Sequence, residues 1–190
     1  MIILALLLVC LVCFVIISGD DREPSYHGVP LSSWILQERG SGIYDNAQTE
    51  YVAALKEMGT NAVSILIRWA GATDGKFKSL AIRLVNHQTL IRAHIRTALE
   101  KQDIAEMGFA IMGTNAISAY DALVVLTKHT DPRIREGAIA CLTLIEPEKE
   151  KLLPILRGML GDKNENVKIA ARDAIAGAYP SEAKKMGLPK

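Results

Sequence analysis

The sequence predicts an all-α protein built from repeated pairs of helices, and three observations support this fold class. First, the five residues Met58–Ala62 recur unchanged as Met112–Ala116. Second, four stretches place apolar or small residues at the same helical spacing of i, i+4, i+7, i+8 and i+11. Third, the chain is 49% apolar but only 5% aromatic, which suits stacked helices more than sheets. A repeated pair of helices whose turn carries no reactive side chain indicates a scaffold rather than an enzyme.

The chain begins with an apolar run, from Met1 to Ile17, that contains no charged side chain. About 20 apolar residues span a bilayer, whereas the apolar part of a signal peptide has about 7–15, so the run falls between the two. We predict that residues 1–18 are an uncleaved membrane anchor, and the alternative is a signal cleaved near Ser18–Gly19. Such a segment exports the chain behind it, so we expect a single-pass membrane protein with its repeats outside the cytoplasm, or a secreted protein after cleavage.

A polar linker over residues 19–30 leads into a short helix that caps the repeat array. Pro30 suits the first turn of a helix, and Leu31, Trp34 and Ile35 then recur at i, i+3 and i+4. This spacing predicts one buried face, and the glycines that follow end the helix. We therefore expect a capping helix within residues 31–45.

The repeat region starts at residue 46, and its units share one pattern in their first helix. The last three copies of the pattern begin at equal intervals along the chain, at Lys101, Ile134 and Val167. Small residues inside it, such as Gly108, predict that neighbouring helices approach to about 8–10 Å. The stripe positions are Ala47, Tyr51, Ala54, Leu55 and Met58; Lys101, Ala105, Gly108, Phe109 and Met112; Ile134, Ala138, Cys141, Leu142 and Ile145; and Val167, Ala171, Ala174, Ile175 and Ala178.

Each copy of the repeated pentapeptide ends one helix and begins the next. Gly59 and Gly113 stand where the end of a helix requires a positive φ. The threonine that follows each glycine is suited to cap the next helix. The second helices then continue with apolar stripes that reach Trp69 in the first copy and Leu123 in the second.

The third and fourth units carry the features of a known family. The third opens with Asp131–Arg135 and turns at Ile145–Pro147, and the fourth opens with Asn164–Lys168 and turns at Ala178–Pro180. With their small-residue first helices, the units resemble HEAT repeats of the armadillo-type superfamily, in the small bacterial form with units of about 30 residues. The resemblance covers residues 46–180. It implies a right-handed α-solenoid of about four repeats, in which the second helices line a concave, protein-binding face.

The spacing of the glycine joints departs from this pattern, because Gly59 and Gly113 lie farther apart along the chain than the later copies of the stripe do. Residues 73–99 hold an extra amphipathic stretch, which is either a degenerate repeat or an inserted helix pair. The predicted organisation is an anchor or signal at 1–18, a linker at 19–30, a capping helix at 31–45, HEAT-like repeats at 46–180 and a flexible, polar tail at 181–190.

The sequence contains no motif for catalysis, for a metal site or for a cofactor. Cys141 occupies a stripe position and is expected in the core, and His129 is expected to form a loop hydrogen bond beside Asp131. We therefore predict a protein that is not an enzyme and holds no cofactor. The alternative is an accessory subunit, similar to phycobilin lyase components with such repeats, that positions a cofactor or substrate.

The charge of the chain limits its partners. A formal net charge of +1 gives no general attraction for nucleic acid, so nucleic-acid binding is not expected. The basic stretch at residues 76–101 is either a patch for an anionic ligand or a solvated helix face, and the second interpretation is favoured because its cations do not share one stripe. The predicted function is a non-catalytic, membrane-tethered scaffold that binds a protein partner. The candidate partner-binding residues are Lys76, Lys78, Arg83, Arg92 and Arg96.

Overall fold

A computed structural model describes residues 22–38, 47–87 and 95–188 of the chain. The predicted anchor at residues 1–18, the end of the capping segment, Arg92 of the basic stretch and the last two residues lie outside the described ranges. The elements are strands β1 (Ser25–Tyr26) and β2 (Val29–Pro30), helices α1 (Leu31–Glu38), α2 (Ala47–Ala70), α3 (Lys76–His87) and α4 (Ala98–Met112), a 3-10 helix (Gly113–Ala119), and helices α5 (Tyr120–Leu126), α6 (Pro132–Leu144), α7 (Lys149–Met159), α8 (Glu165–Ala178) and α9 (Pro180–Lys185).

The described residues form a helical fold, which confirms the predicted all-α class, and a small hairpin precedes the helices. β1 pairs antiparallel with β2, and Tyr26 lies opposite Val29. His27 and Gly28 between the strands have φ of 50° and 74°, which suits a two-residue turn between twisted strands. The indole Nε1 of Trp34 in α1 donates to the carbonyl of Tyr26 at 3.4 Å. The predicted linker is therefore attached to the capping helix.

Apart from Ala47, whose side chain lies outside the described part of the structure, the predicted stripe is largely buried in all four first helices, α2, α4, α6 and α8. Lys101 and Ala174 are half-buried, and Ala178 at the end of the fourth copy is exposed. The periodicity of the sequence therefore identified the core correctly. The buried members are Tyr51, Ala54, Leu55, Met58, Ala105, Gly108, Phe109, Met112, Ile134, Ala138, Cys141, Leu142, Ile145, Val167, Ala171 and Ile175.

Gly108 marks a close approach between α2 and α4, which pack directly on each other. A Cβ atom at Gly108 would lie 2.5 Å from Cδ2 of Leu66 and 3.0 Å from Cδ1 of Ile35. A larger residue would displace these side chains, because interiors are already close-packed. The predicted role of small residues is confirmed at this position.

The two glycine joints share one backbone geometry. Gly59 has φ 51° and ψ −129°, and Gly113 has φ 50° and ψ −131°. The threonine cap predicted after Gly113 does not form, since that joint has no side-chain cap. Instead, Nδ2 of Asn115 donates to the carbonyl of Met112 at 2.9 Å and satisfies a free group at the end of α4.

The two joints nevertheless lead into different helices, an α-helical second half of α2 and a 3-10 helix. A 3-10 helix aligns side chains at i and i+3, and Ala116 and Ala119 are both fully buried at that spacing. After the first joint, Ala62 and Leu66 are fully buried at the α-helical spacing of i and i+4. The same pentapeptide is therefore compatible with either type of helix after the joint.

The third and fourth units begin with side-chain caps. Oδ1 of Asp131 accepts from the backbone N–H of Arg133 at 2.9 Å, and Oδ1 of Asn164 accepts from that of Asn166 at 3.0 Å. The loop hydrogen bond expected of His129 is also present, because its Nδ1 accepts from the backbone N–H of Asp131 at 3.0 Å.

Residues 180–185 form helix α9, where the sequence predicted a flexible tail. Ala183 is only 6% exposed, and α9 packs on α8. The carboxylate of Glu182 accepts from Lys149 and Arg157 of α7, each at 3.1 Å. These partners are distant in the sequence, so the polar composition of the tail gave no sign of them.

The run from Ala98 to Leu126 is long and apolar enough to cross a membrane by length and composition. This is weak support for a membrane span, because the core helices of soluble proteins pass the same test. The run turns at Gly113 and fully buries Phe109 and Leu123 within the helical core. We therefore describe it as a pair of core helices.

Candidate functional site

A groove with a volume of about 670 Å³ crosses the first helices of the last three units. α6 packs on α4 and on α8, so these helices lie side by side. The groove follows their shared outer surface, whereas the resemblance to HEAT repeats implied a binding face on the second helices. The lining residues are Ala70, Leu99, Gln102, Asp103, Glu106, Arg133, Glu136, Gly137, Ile139, Ala140, Cys141, Thr143, Leu144, Asn166, Ala170 and Ala174.

Small side chains create the depth of the groove. Gly137 of α6 and Ala170 of α8 occupy equivalent positions, since each directly precedes the second stripe residue of its unit, and both line the groove. A Cβ atom at Gly137 would have no heavy atom within 4 Å, so the space above it is open. Ala140 and Ala174 add further short side chains to the same surface. The groove is therefore a consequence of the repeat pattern and not of an irregular loop.

Three carboxylates lie in this groove, from Asp103 and Glu106 of α4 and Glu136 of α6. Desolvation by the surrounding groove raises the pKa of Glu106, and the negative charges of Asp103 and Glu136 raise this pKa further. The Glu106 carboxylate is therefore held among like charges. A positively charged group placed beside it would lower the free energy of its ionised form.

The groove carboxylates are available for such a group. Within the described ranges, Asp103, Glu106 and Glu136 form neither a hydrogen bond nor an ion pair through their side chains. Arg133 also lines the groove, and its side chain is exposed. Three carboxylates and one guanidinium group give the groove a net charge of −2 when all are ionised.

Cys141 lies at the floor of the groove but is not a nucleophile. Its side chain is 2% exposed, as the stripe predicted. Burial, followed by the nearby charge of Glu106, raises the pKa of Cys141 to about 12. The thiolate is the reactive form of cysteine, so this thiol is unreactive at neutral pH. Across the described part of the chain, no group of three or more His, Cys, Asp or Glu side chains could hold a metal ion.

The predicted basic residues do not form one surface. Nη1 of Arg96 lies 2.6 Å from Oε1 of Glu23, and its Nη2 donates to Oγ of Ser32 at 2.7 Å, so Arg96 joins the start of α1 to the segment before α4. Lys78 is paired with Asp74 at 2.8 Å.

The remaining candidates differ from these two. Lys76 and Arg83 are exposed on α3, and within the described residues neither forms an ion pair. Arg92 lies outside the described ranges. Two of the five candidates are therefore used inside the fold, and two are available to a partner.

The acidic groove was missed at the level of sequence, although a signal for it exists. Asp103 and Glu136 occupy equivalent positions, each two places after the first stripe residue of its unit, so stacking the units places both carboxylates on one surface. Glu106 lies three places after Asp103 and therefore on the same face of α4. Aligning the polar positions of the repeats, in addition to the apolar ones, would have shown this cluster.

The comparisons with known proteins agree with this architecture. The family described as HEAT repeats matches residues 88–176, a range that contains α4, α6 and most of α8 and therefore the helices of the groove. No curated protein and no solved structure matches the chain. HEAT repeats generally mediate interactions between proteins and are generally not catalytic. The match over these residues and the helical units together support a HEAT-repeat protein.

Proposed function

We propose that this HEAT-repeat chain is a non-catalytic, membrane-tethered scaffold that binds a protein through the groove over α4, α6 and α8. The observation that carries the proposal is the groove itself, with its unpaired carboxylates above a floor of small and apolar side chains. Interfaces of this kind combine an apolar centre with a few polar groups that fix orientation. The overall shape that we propose is a right-handed α-solenoid.

The groove can be tested by site-specific photo-crosslinking in native membranes. A photoreactive residue at Leu99, which lies in the groove and is 48% exposed, should form a covalent adduct with a protein. The same residue at Val125, which is 68% exposed on α5, provides the matched control. Adducts of equal yield at both positions, or none at Leu99, would refute the groove as the binding surface.

A steric variant provides an independent test. Gly137→Leu should abolish the adduct at Leu99, because the new side chain extends into open space inside the groove. Gly158→Leu is the matched control, since a Cβ at Gly158 of α7 also meets no atom within 4 Å but lies outside the groove. Both variants replace a helical glycine and should fold at least as stably as the parent.

The proposed membrane tether is the apolar run of residues 1–17, with the repeats on the extracytoplasmic side. The run is of nearly spanning length, and this length supports the proposal. Intact mass of the native protein gives the first test, because a tethered chain retains residues 1–18, whereas a secreted chain would begin near Gly19. Protease added outside intact cells should then digest the repeats of a tethered chain.

The alternative of an accessory subunit that positions a small molecule has one observation in its favour. A volume of about 670 Å³ lies within the range of about 300–1,000 Å³ that is typical of ligand sites. Native mass spectrometry of gently purified protein would reveal a bound small molecule. Loss of that molecule in Gly137→Leu, but not in Gly158→Leu, would favour this alternative over the scaffold.

Among the described residues, the alternative of an anionic-ligand binder rests on Lys76 and Arg83. Reversing Arg96 or Lys78 would break ion pairs inside the fold, whereas Lys76→Glu with Arg83→Glu changes exposed cations only. Binding of vesicles containing phosphatidylserine should fall in this double variant if the basic stretch recognises lipid headgroups. Unchanged binding would exclude Lys76 and Arg83 as the residues that recognise the headgroups.

A further inference from the structure

α3 presents an exposed stripe of cationic and apolar side chains. Lys76, Leu80 and Arg83 are spaced i, i+4 and i+7, so they share one face of the helix. All three are exposed, and Leu80 is 46% exposed. A different face of α3 is buried through Ala81 and Ile82. The basic stretch as a whole follows no single stripe. Lys76 and Arg83, which form no ion pair within the described residues, nevertheless lie on one face of α3.

The groove is complementary to this stripe in both charge and polarity. The stripe carries +2 through Lys76 and Arg83, and the groove carries −2 through its three carboxylates and Arg133. Leu80 stands between the two cations, and the groove likewise combines its carboxylates with apolar lining residues such as Ile139 and Leu144. Amphipathic helices commonly bind such grooves through anchors at i, i+4 and i+7.

We infer that the groove of one copy of this chain receives α3 of a second copy. Lys76 and Arg83 then face the carboxylates of the groove, and Leu80 contacts its apolar floor. Within one copy, α3 contributes no residue to the groove, so the contact is intermolecular. The inference rests on the proposed function, because it names the occupant of the same binding surface.

The geometry determines the kind of assembly. The groove and α3 are different surfaces, so the contact is heterologous, and successive copies form a ring or an open chain. Because the charges on both surfaces are partly exposed, the association weakens as salt is added.

Sedimentation velocity of the full-length chain in detergent provides the test. The parent protein should associate as its concentration rises, and raising NaCl from about 50 to about 500 mM should weaken this association. Glu106→Lys with Glu136→Lys, and separately Lys76→Glu with Arg83→Glu, should each weaken it at least tenfold. Asp121→Lys with Glu150→Lys is the matched control for the groove reversal, since it makes the same charge change on exposed positions of α5 and α7 and should leave association unchanged.

Charge exchange makes the test specific. A mixture of the groove-reversed and α3-reversed variants should regain association in equal proportions, because the native groove of one variant then meets the native α3 of the other and the two reversed surfaces are also complementary in charge. A single chain with all four substitutions should regain self-association. Gly137→Leu should prevent association without a change of charge, and Gly158→Leu should not.

Several results would overturn the inference. The first is that the parent chain stays monomeric at low salt. The second is that the two reversed variants fold but do not associate when mixed. The third is that Asp121→Lys with Glu150→Lys loses as much association as the reversed variants do. If the chain stays monomeric but a different protein crosslinks at Leu99 and is blocked by Gly137→Leu, the proposed scaffold stands and self-docking fails. If neither self-association nor an adduct occurs, both proposals fail.

Discussion

The chain turns from a first helix into a second helix in two ways. One uses a glycine at positive φ, and the other places a residue with a side chain at positive φ, where the backbone is strained. At Gly59 and Gly113, a glycine with φ of 51° or 50° makes the turn. In the third unit, Glu146 has φ of 47° although it carries a side chain, and Pro147 follows it. A non-glycine residue in the left-handed region costs about 1–2 kcal/mol. The third unit therefore contains strain that the glycine joints avoid.

The surroundings of the third joint explain how it is held in place. Ile145 is fully buried and Pro147 is also buried, so packing fixes the residues on both sides of Glu146. The next loop is fixed by Arg135, whose Nε and Nη2 donate to Asp162 at 2.8 and 2.7 Å. The comparison shows that a turn between two helices can be made in two ways. A glycine can adopt the required backbone conformation freely, or buried neighbours and polar contacts can hold another residue in it.

The largest effect should come from the buried stripe, which serves both kinds of joint alike. Phe109 precedes a glycine joint and Leu142 precedes the strained joint, and both are fully buried at equivalent stripe positions. Phe109→Ala should lower the free energy of unfolding by about 3–5 kcal/mol and Leu142→Ala by about 2–5 kcal/mol, because each leaves a cavity. Urea denaturation followed by circular dichroism would measure both losses.

Val125→Ala is the control for these truncations, since Val125 is 68% exposed on α5 and should lose less than about half a kcal/mol. A loss below about half a kcal/mol for Leu142→Ala would contradict the stripe assignment in the half of the chain with the strained joint. It would also mean that burial does not compensate for the strain at Glu146.

A smaller, pH-dependent effect should come from the contact between Arg135 and Asp162, which are 13% and 8% exposed. The hydrogen bonds from Arg135 hold the pKa of Asp162 below its ordinary value. The contact therefore stabilises the fold above the unfolded-state pKa of about 3.9 and loses this effect as the pH falls through the folded-state pKa. Asp162→Asn should lose about 1.5–3 kcal/mol at pH 7, the usual range for hydrogen bonds to charged groups.

Denaturation curves of the parent and of Asp162→Asn at pH 7 and at pH 2 would measure the sign and the size of the stabilisation by Asp162. The difference between the two proteins should shrink at the lower pH, because the stabilisation by the Asp162 carboxylate is progressively lost below the unfolded-state pKa of about 3.9. Glu165→Gln is the control, since its pairing with Lys168 at 2.6 Å is exposed and lies within one helix turn. A difference that stays constant with pH would show that the Asp162 carboxylate does not stabilise the loop through its charge.

The sequence predicted those parts of the fold that depend on local periodicity and on the glycine joints. The stripe and the positive φ of Gly113 each follow from residues within one or two helix turns, whereas the predicted threonine cap after Gly113 does not form. The acidic groove and helix α9 depend on contacts between units, such as those of Glu182 with α7. Strain at Glu146 is hidden for the same reason, because its neighbours are buried by residues far away in the sequence.

The glycine joints themselves should show a moderate effect that is equal at the two sites. Gly59→Ala and Gly113→Ala each force a Cβ into nearly the same unfavourable backbone geometry, and neither Cβ would meet an atom within 4 Å. The loss is therefore pure backbone strain, of about 1–3 kcal/mol at each joint. Thermal unfolding would measure the stability of both variants. A loss of stability at one joint only would show that the same backbone geometry does not cause the same strain at the two sites.

The smallest effect, of opposite sign, is expected for Glu146→Gly. Glycine removes strain of about 1–2 kcal/mol at φ of 47° but adds about 0.5–1 kcal/mol of entropy to the unfolded chain, so the fold should gain about 0.5–1 kcal/mol. Glu150→Gly is the control, because Glu150 is exposed within α7 and glycine should destabilise a helix there. If Glu146→Gly lowers the melting temperature as Glu150→Gly does, the third joint holds no releasable strain. The two kinds of joint would then differ in sequence but not in energy.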